Sequence, residues 1–247
     1  MTRWVRITKR TLDVVIASVG LLISLPLYPL IAAAIYLESP GRVLFRQRRA
    51  GELLGPVAGQ RGRFRFREFN MLKFRTMRPD AEALSGPVLA DEDDPRVTRV
   101  GRFLRKTRLD ELPQFWNVLR GDMSLIGPRP ERPSLMSDLA YAIPFFEERM
   151  HGIKPGITGL AQVKLNYSGH PPEGSRLAEM ARFLTNPFKI SGTEGALADD
   201  MRMKLLCDLG YSLASESWSA FARMETEILL RTPLVMLRGL GRGGLGR

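Results

Sequence analysis

The chain has 247 residues and carries 37 lysines and arginines against 26 aspartates and glutamates, a formal net charge of +11 at pH 7. Hydrophobic residues make up 44% and charged residues 26%, which excludes a disordered chain, a collagen-like chain and a polytopic membrane protein. The lone cysteine, Cys207, excludes an intramolecular disulfide, and we expect it to be a small core residue. Most cations are arginines, whose planar guanidinium suits phosphate, so the composition predicts an anionic partner.

Residues 14–37 form a run of 24 residues without a charge, which is long enough to cross a bilayer as a helix. Cations precede and follow this run in equal number, so the positive-inside rule gives no direction of crossing. Pro26 and Pro29 lie near its middle, where a proline removes a helical hydrogen bond. We therefore predict a re-entrant helix-break-helix over residues 1–40, in preference to a straight span or a cleaved signal peptide.

Residues 41–238 are predicted to form a mainly α domain with a small β-ribbon. Apolar and cationic residues partly alternate over 42–49 and 63–75, as in a two-stranded ribbon, and the turn-rich residues 51–62 would connect the strands. Together with the preceding segment, the predicted fold is a membrane hairpin followed by a catalytic domain with amphipathic interfacial helices.

Helical spacing continues after the ribbon. An arginine-rich amphipathic helix is predicted from Val97 to Lys106, and a second one from near Asp110 to Gly121, since Pro113 is tolerated only in a first turn. Loops are predicted at residues 127–130 and 154–159, and a helix at 175–184. A last helix should run from Trp218 to Arg231, end or kink at Pro233, and precede a basic tail at 239–247.

The residues with the clearest chemical potential are Asp110 and Glu111, adjacent carboxylates at a predicted helix start. Backbone N–H groups and the helix dipole favour ionised carboxylates there. An ionised carboxylate can act as a nucleophile in phosphoryl transfer or as a ligand of Mg²⁺. Lys73, Arg105 and Arg129 are candidate cations for the substrate's phosphates. Such a pair can also be a plain helix cap, so the interpretation depends on its combination with the apolar run and the arginines.

Other functions remain open from the residues alone. Asp91 and Asp93 match the Asp-x-Asp pattern by which many glycosyltransferases hold a metal and a nucleotide sugar. A non-enzymatic basic scaffold at a membrane surface would need the apolar run but not Asp110. A nucleic-acid-binding protein would use the positive charge but has no need for the apolar run, so no nucleic-acid partner is expected.

Several longer motifs occur in one order along the chain, and together they resemble the bacterial sugar transferases, the monotopic polyprenyl-phosphate phosphoglycosyltransferases. The resemblance extends from the N-terminal hairpin to the region of Trp218. The motifs are Arg46-Gln47-Arg48, Lys73-Phe74-Arg75-Thr76-Met77, Asp94-Pro95-Arg96-Val97-Thr98-Arg99, Leu109-Asp110-Glu111-Leu112-Pro113-Gln114, Gly127-Pro128-Arg129-Pro130 and Lys154-Pro155-Gly156-Ile157-Thr158-Gly159.

The resemblance implies transfer of a phosphosugar from a UDP-sugar to a polyprenyl phosphate with release of UMP, as the first membrane step of a glycan or exopolysaccharide pathway. It implies a monotopic protein at the cytoplasmic face of the bacterial inner membrane, in contact with lipid, and leaves a homo-oligomer open. Residues 169–200 look like an insertion relative to small members. The implied roles are nucleophile and Mg²⁺ ligand for Asp110, partner carboxylate for Glu111, phosphate binding for Lys73, Arg105 and Arg129, and helix break for Pro26.

Overall fold

The computed structural model describes residues 1–60, 62–81, 94–165, 171, 174–184 and 197–242. This part of the chain is mainly helical with small two-stranded sheets, which agrees with the predicted class of helices and a β-ribbon. The helices are α1 (Arg3–Ser24), α2 (Leu27–Glu38), α3 (Arg99–Thr107), α4 (Gln114–Arg120), α5 (Pro133–Ala142), α6 (Leu160–Lys164), α7 (Arg176–Leu184), α8 (Leu197–Ala214) and α9 (Trp218–Arg242). The strands are β1 (Leu44–Pro56), β2 (Phe64–Phe74), β3 (Ser124–Ile126) and β4 (Gly156–Thr158).

The uncharged N-terminal run forms a pair of helices, as predicted. α1 ends at Ser24, α2 begins at Leu27, and the two are bent by 60° at a break that contains Pro26. Pro29 falls in the first turn of α2, where a missing N–H costs little. No individual helix in the described ranges is long and apolar enough to cross a membrane, whereas this bent pair passes by length and composition. The apolar side chains around the break, such as Leu22 and Ile23, are exposed, and we call this region the apolar bend (residues 22–30).

The N-terminal half of α1 packs into the body of the protein. Lys9 Nζ donates a hydrogen bond of 2.9 Å to Glu225 Oε1 of α9, and both side chains are buried. The buried carboxylate of Asp13 accepts hydrogen bonds from Ser124 Oγ at 2.9 Å and from the Leu125 backbone N–H at 2.8 Å. Buried charges are tolerated when they are paired in this way, and the contacts fix α1, and so the apolar bend, relative to β3 and α9.

The β-ribbon is confirmed, but its first strand is longer than predicted. β1 and β2 pair antiparallel from Leu44 opposite Phe74 to Pro56 opposite Phe64. Residues 51–56, which were predicted to belong to the connecting turn, continue β1. Register shifts after Ala50 and again after Leu53 let the strand carry these extra residues without losing its pairing. The connecting turn therefore begins only after Pro56.

The predicted helix from Asp110 to Gly121 is divided in two. Residues Leu109–Glu111 form a 3₁₀ turn, and α4 begins only at Gln114. Arg108 has a left-handed φ of 60°, which ends α3 and reverses the chain just before the 3₁₀ turn. Asp110 and Glu111 thus lie in a short turn between helices and not in the first turn of an α-helix. Because the sequence predicts a catalytic role for these two residues, we call Leu109–Glu111 the catalytic turn.

Residues 154–159, predicted as a loop, contain strand β4, which pairs parallel with β3. Ser124 lies opposite Gly156 and Ile126 opposite Thr158. Gly127 lies so close to the neighbouring chain that a Cβ there would be 2.3 Å from the Lys154 carbonyl oxygen. The glycine permits this close approach, and the hydrogen bonds that Gly127 N–H donates to the Thr158 carbonyl and Gly156 N–H donates to the Pro128 carbonyl, each 2.9 Å, hold the loop against β4. Strands of three residues carry too little alternation to be detected from sequence.

The C-terminal helices only partly follow the predictions. α7 coincides with the predicted helix at 175–184, and most of the rest of residues 169–200 lies outside the described residues. α9 runs through Pro233 to Arg242, so of the two predicted outcomes, an end or a kink, the helix does not show the end. Val235, beyond the proline, is buried in the core, and this packing offsets the hydrogen bond that Pro233 cannot donate. The first part of the predicted tail, residues 239–242, is helical, and residues 243–247 lie outside the described ranges.

Cys207 is a core residue, as predicted. It is buried in α8 among apolar side chains that include Met203 and Tyr211. Burial, with a smaller contribution from Asp208, raises the pKa of its thiol to about 12, so the thiol is protonated at neutral pH.

Asn117 joins α4 to the outer edge of the ribbon. Its Oδ1 accepts from the Leu72 backbone N–H at 2.9 Å, and its Nδ2 donates to the Asn70 carbonyl at 2.8 Å. The side-chain amide thereby takes the place of a neighbouring strand at the free edge of β2. Asn117 is fully buried, so these two backbone groups depend on it, and α4 is held against β2 directly behind the catalytic turn.

Replacing Asn117 with Ala is expected to lower the free energy of unfolding by about 2–4 kcal/mol, because a partly buried backbone N–H and a partly buried backbone C=O would each lose a partner and the buried amide's packing would be lost. Thermal unfolding of the purified protein in detergent should show a Tm lower by roughly 5–15 °C. Asn70→Ala is the matched control, since Asn70 contributes only its backbone carbonyl and its side chain is exposed. Equal Tm values for the two variants would contradict the stabilising role of the Asn117 side chain.

Candidate active site

The catalytic turn places both predicted carboxylates beside the end of β2. Lys73 Nζ lies 2.9 Å from Glu111 Oε1 and 4.0 Å from Asp110 Oδ2. Asp110 and Glu111 are each 6% exposed. Lys73 is the penultimate residue of β2, so the ribbon presents its ammonium group to the turn from one side.

Glu111 is surrounded by cations from separate parts of the chain. Besides Lys73, Arg129 Nη2 donates to Glu111 Oε1 at 3.1 Å, and Arg108 Nη1 lies 3.9 Å from the same oxygen. Burial alone would raise the pKa of Glu111. Lys73, Arg129 and Arg108 outweigh burial and hold this pKa far below its usual range, so Glu111 is ionised at any physiological pH.

The pKa of Asp110 is shifted in the opposite direction. Burial, and next to it the negative charge of Glu111, raises the pKa of Asp110 above its usual range, although Lys73, Arg108 and Arg129 act against the increase. Within the described part of the chain, Asp110 Oδ1 is buried and has no hydrogen-bond partner. A buried oxygen without a protein partner is costly, and no described protein group competes for this oxygen.

The groups that set the pKa values of Asp110 and Glu111 differ from those that the sequence predicted. The sequence predicted that a helix N-terminus holds both carboxylates ionised, but neither residue lies in the first turn of α4. The cations around Glu111 take that role, and they act mainly on Glu111. Asp110 therefore has a raised pKa rather than a lowered one.

Arg105 and Arg129, the predicted phosphate-binding arginines, are placed differently. Arg129 contacts Glu111 directly from the loop after β3. Arg105 is held from the side by Thr76, whose Oγ1 accepts from Arg105 Nε at 2.9 Å. Burial lowers the pKa of Arg105, while the nearby carboxylates of Asp110 and Asp94 counteract this effect. Both arginines thus belong to the surroundings of the catalytic turn, with Arg105 on the α3 side.

The site also lies next to the N-terminal helix pair. Phe74, the neighbour of Lys73, packs with Ile31 and Ile35 of α2 in one buried cluster. Arg75 donates a hydrogen bond to the Ser39 carbonyl at the end of α2. The end of the ribbon that carries Lys73 is therefore the end that contacts α2.

Whether Mg²⁺ fits can be judged from the donor set. The described residues contain no group of three or more His, Cys, Asp or Glu side chains suited to a metal ion. Mg²⁺ is often bound by only one or two carboxylates together with substrate phosphates and water. The unpartnered Oδ1 of Asp110 fits that pattern. Asp91 and Asp93, the alternative metal ligands, lie outside the described residues.

Sequence reasoning missed the contribution of Arg108, Arg49 and Gln114. Arg108 reaches Glu111 because its left-handed backbone turns the chain back, which no pattern in the sequence indicated. Arg49 and Gln114 line a cleft beside Arg129. Both stand within or next to the quoted motifs, so the motifs marked the region without indicating what these side chains do.

Known proteins of one family resemble this chain over most of its length. A profile described as "Bacterial sugar transferase" matches residues 4–239. A UDP-glucose:undecaprenyl-phosphate glucose-1-phosphate transferase from Caulobacter vibrioides is 46% identical over 230 residues, which cover 92% of this chain and 69% of that protein. A UDP-N-acetylgalactosamine-undecaprenyl-phosphate N-acetylgalactosaminephosphotransferase from Aeromonas hydrophila is 36% identical over 94% of this chain, which spans 44% of that protein. The chain belongs to the bacterial sugar transferase family, as its motifs predicted.

Proposed function

We propose that this protein transfers a sugar phosphate from a UDP-sugar to a polyprenyl phosphate and releases UMP, with Asp110 as the covalent nucleophile. The observation that carries the proposal is the buried Asp110, whose Oδ1 finds no partner in the described structure although cations surround its neighbour Glu111. The names of the relatives from Caulobacter and Aeromonas support the same reaction class.

In the first step, an oxygen of the Asp110 carboxylate attacks the phosphorus that carries the sugar. The bond between that phosphorus and the bridging oxygen breaks, and the bridging oxygen leaves with UMP. An acyl phosphate between Asp110 and the sugar phosphate remains. The raised pKa of Asp110 makes its ionised form more basic than that of an ordinary aspartate, which favours attack once the proton is lost.

In the second step, a phosphate oxygen of the polyprenyl phosphate attacks the same phosphorus. The acyl–phosphate bond breaks, the Asp110 carboxylate is regenerated, and the product is a polyprenyl diphosphate sugar. Lys73, Arg129 and Arg105 surround the turn and are available to neutralise phosphate charge in both steps. Glu111 holds Lys73 and Arg129 in place and so acts as a positioning residue.

We propose that Mg²⁺ assists this reaction, with Asp110 as its protein ligand and substrate phosphates as further ligands. The ion would supply positive charge to the diphosphate, which otherwise meets two adjacent carboxylates.

We also propose that the apolar bend dips into the cytoplasmic leaflet of the bacterial inner membrane without crossing it. The support is the 60° break at Pro26 together with exposed apolar side chains on both sides of it. Phe103, Trp116 and Leu230 on α3, α4 and α9 are also exposed, and exposed apolar side chains suit helices that lie at a membrane interface. A monotopic arrangement keeps the catalytic turn at the level of the polyprenyl phosphate's headgroup.

The pathway assignment rests on a relative. A Rhizobium leguminosarum protein named as an exopolysaccharide production protein is 37% identical over 161 residues, 64% of this chain. We propose that this protein likewise starts assembly of a glycan on a lipid carrier.

Asp110→Asn is expected to reduce UMP release by about 10³-fold or more, because it removes the nucleophilic oxygen anion while keeping the shape of the side chain. The measurement is UMP formation by the purified protein in detergent, with undecaprenyl phosphate, Mg²⁺ and a panel of UDP-glucose, UDP-N-acetylglucosamine and UDP-N-acetylgalactosamine. Without the acceptor, labelled sugar phosphate should remain attached to wild-type protein and be absent from the variant. Asp138→Asn, an exposed carboxylate of α5, serves as the control. Turnover by Asp110→Asn near the control's rate would refute the nucleophile.

Removal of divalent cations with a chelator is expected to abolish transfer, and added Mg²⁺ should restore it. As a second readout, Mg²⁺ titrated into wild-type protein with UMP should bind more tightly than into Asp110→Asn with UMP. Full activity in excess chelator would exclude the proposed metal dependence.

Cysteines introduced at Thr2 and Pro40, in a Cys207→Ser background, should both resist a membrane-impermeant thiol reagent added outside intact cells. Both positions are exposed in the protein, so permeabilised cells should show labelling of both and provide the control. Pro26→Ala restores a helical hydrogen-bond donor and should increase the fraction labelled from outside. Labelling of either cysteine in intact cells with Pro26 present would indicate a straight span.

A further inference from the structure

The outward side of α3 is a cationic surface that the proposed reaction does not use. Arg99, Arg102, Phe103 and Lys106 are the exposed residues of this helix. Their spacing of three and four residues places them within an arc of about 100° on one side of the helix, and we call this set the α3 face. Leu104 projects from the other side and is buried in the protein.

The positive charge of the α3 face is only partly neutralised within the described part of the chain. α3 contains no acidic residue. The side chains of Arg102 and Lys106 form no ion pair with any residue that the structure describes. Arg99 differs, because the carboxylate of Glu38 lies close enough to interact with its charge. Arg102 and Lys106 therefore present their charge to whatever lies outside the helix.

α3 lies beside the half of the helix pair that leads away from the apolar bend. Leu104 packs with Ile31 and Ile35 of α2 in one buried cluster. Glu38, at the end of α2, accepts hydrogen bonds of 2.7 and 2.8 Å from the first two N–H groups of α3. A helix of nine residues is about 13 Å long, so every part of the α3 face is near α2. With the bend in the leaflet, as proposed above, α3 lies at the level of the lipid headgroups.

The composition of the α3 face matches an anionic lipid surface. In a helix at a membrane interface, an aromatic side chain inserts among the acyl chains while arginine and lysine side chains reach the headgroups. Cations at this level attract anionic phospholipids. An acidic protein or a nucleic acid would be attracted by the same charge, but neither accounts for Phe103, which is 58% exposed among the cations.

We propose that the α3 face binds the headgroups of anionic phospholipids in the leaflet that receives the apolar bend. This inference rests on the proposed membrane arrangement and names the class of lipid that the protein selects. Arg105 projects from another side of α3, and the helix leads through Arg108 into the catalytic turn. Headgroups bound to the α3 face therefore hold the catalytic turn at the level of the polyprenyl phosphate's own phosphate.

Site-specific fluorescence quenching tests the lipid preference in the full-length protein in phosphatidylcholine nanodiscs. Phe103→Cys in a Cys207→Ser background is labelled with bimane. The quencher is phosphatidylglycerol or phosphatidylcholine, each with a nitroxide at the same position of the acyl chain. At equal quencher content, phosphatidylglycerol should quench about two- to threefold more strongly. Raising KCl from about 50 to about 500 mM should reduce this difference, because salt screens the attraction.

Arg102→Gln combined with Lys106→Gln should abolish the difference, so that both lipids quench equally. Arg63→Gln combined with Arg65→Gln is the matched control, since it removes the same charge from exposed positions at the other end of the ribbon. Arg65 is nine positions along β2 from Phe74, or about 30 Å from the end that contacts α2. The control should keep the full difference. Both double variants should keep the Tm, because all four side chains are exposed.

Quenching by neither lipid would show that the α3 face does not meet the bilayer, and would refute the proposal in favour of a soluble acidic partner. Equal quenching by both lipids at low salt, before any charge is removed, would show contact without selection and would overturn it. A difference that persists in the Arg102→Gln, Lys106→Gln variant would assign the selection to other cations and would overturn it too. Quenching does not depend on catalysis, so failure to release UMP from any UDP-sugar would refute the proposed function alone.

Discussion

The ionised and buried Glu111 is the constraint on which the site depends. A buried carboxylate must be compensated, and here the compensation comes from β2, from the end of α3 and from the loop after β3, through Lys73, Arg108 and Arg129. These segments are distant in the sequence, so neutralising Glu111 requires that the ribbon, the helices and the loop assemble together. The groups that hold the turn in place are also the groups that we propose bind the substrate's phosphates.

The same cations affect the pKa values of the two adjacent carboxylates differently. The cations lower the pKa of Glu111 far more effectively than that of Asp110, because Glu111 makes the close contacts while Asp110 lies 4.0 Å from Lys73. The cations therefore bind Glu111. Asp110 has a more basic carboxylate, and its Oδ1 accepts no hydrogen bond from any described residue. Two residues of similar chemistry acquire opposite pKa shifts from their surroundings, which is the general way in which proteins distinguish two carboxylates at an active site.

The distance between the site and the apolar bend is set within the protein. Lys9 and Asp13 attach α1 to α9 and β3, and Glu38 at the end of α2 accepts hydrogen bonds from the first N–H groups of α3, at 2.7 Å from Arg99 and 2.8 Å from Val100. α3 in turn carries Arg105 toward the catalytic turn. The bend cannot shift without moving these contacts, so a lipid-bound substrate would meet the catalytic turn at a fixed depth.

Sequence patterns predicted the parts of this structure that depend on local chemistry. The break at Pro26, the ribbon, α3 and the grouping of Lys73, Asp110, Glu111 and Arg129 follow from proline chemistry, alternation and motif content. β3, β4 and the left-handed Arg108 were missed because they depend on contacts between distant segments, such as the approach of Gly127 to Lys154. Gln114 shows the limit most clearly: at the start of a helix a glutamine is unremarkable, and only the packing of α4 against the ribbon reveals that its Nε2 is buried without an acceptor among the described residues. A polar group kept at such a cost departs from what stability alone would favour, and such departures are expected where a protein binds a ligand.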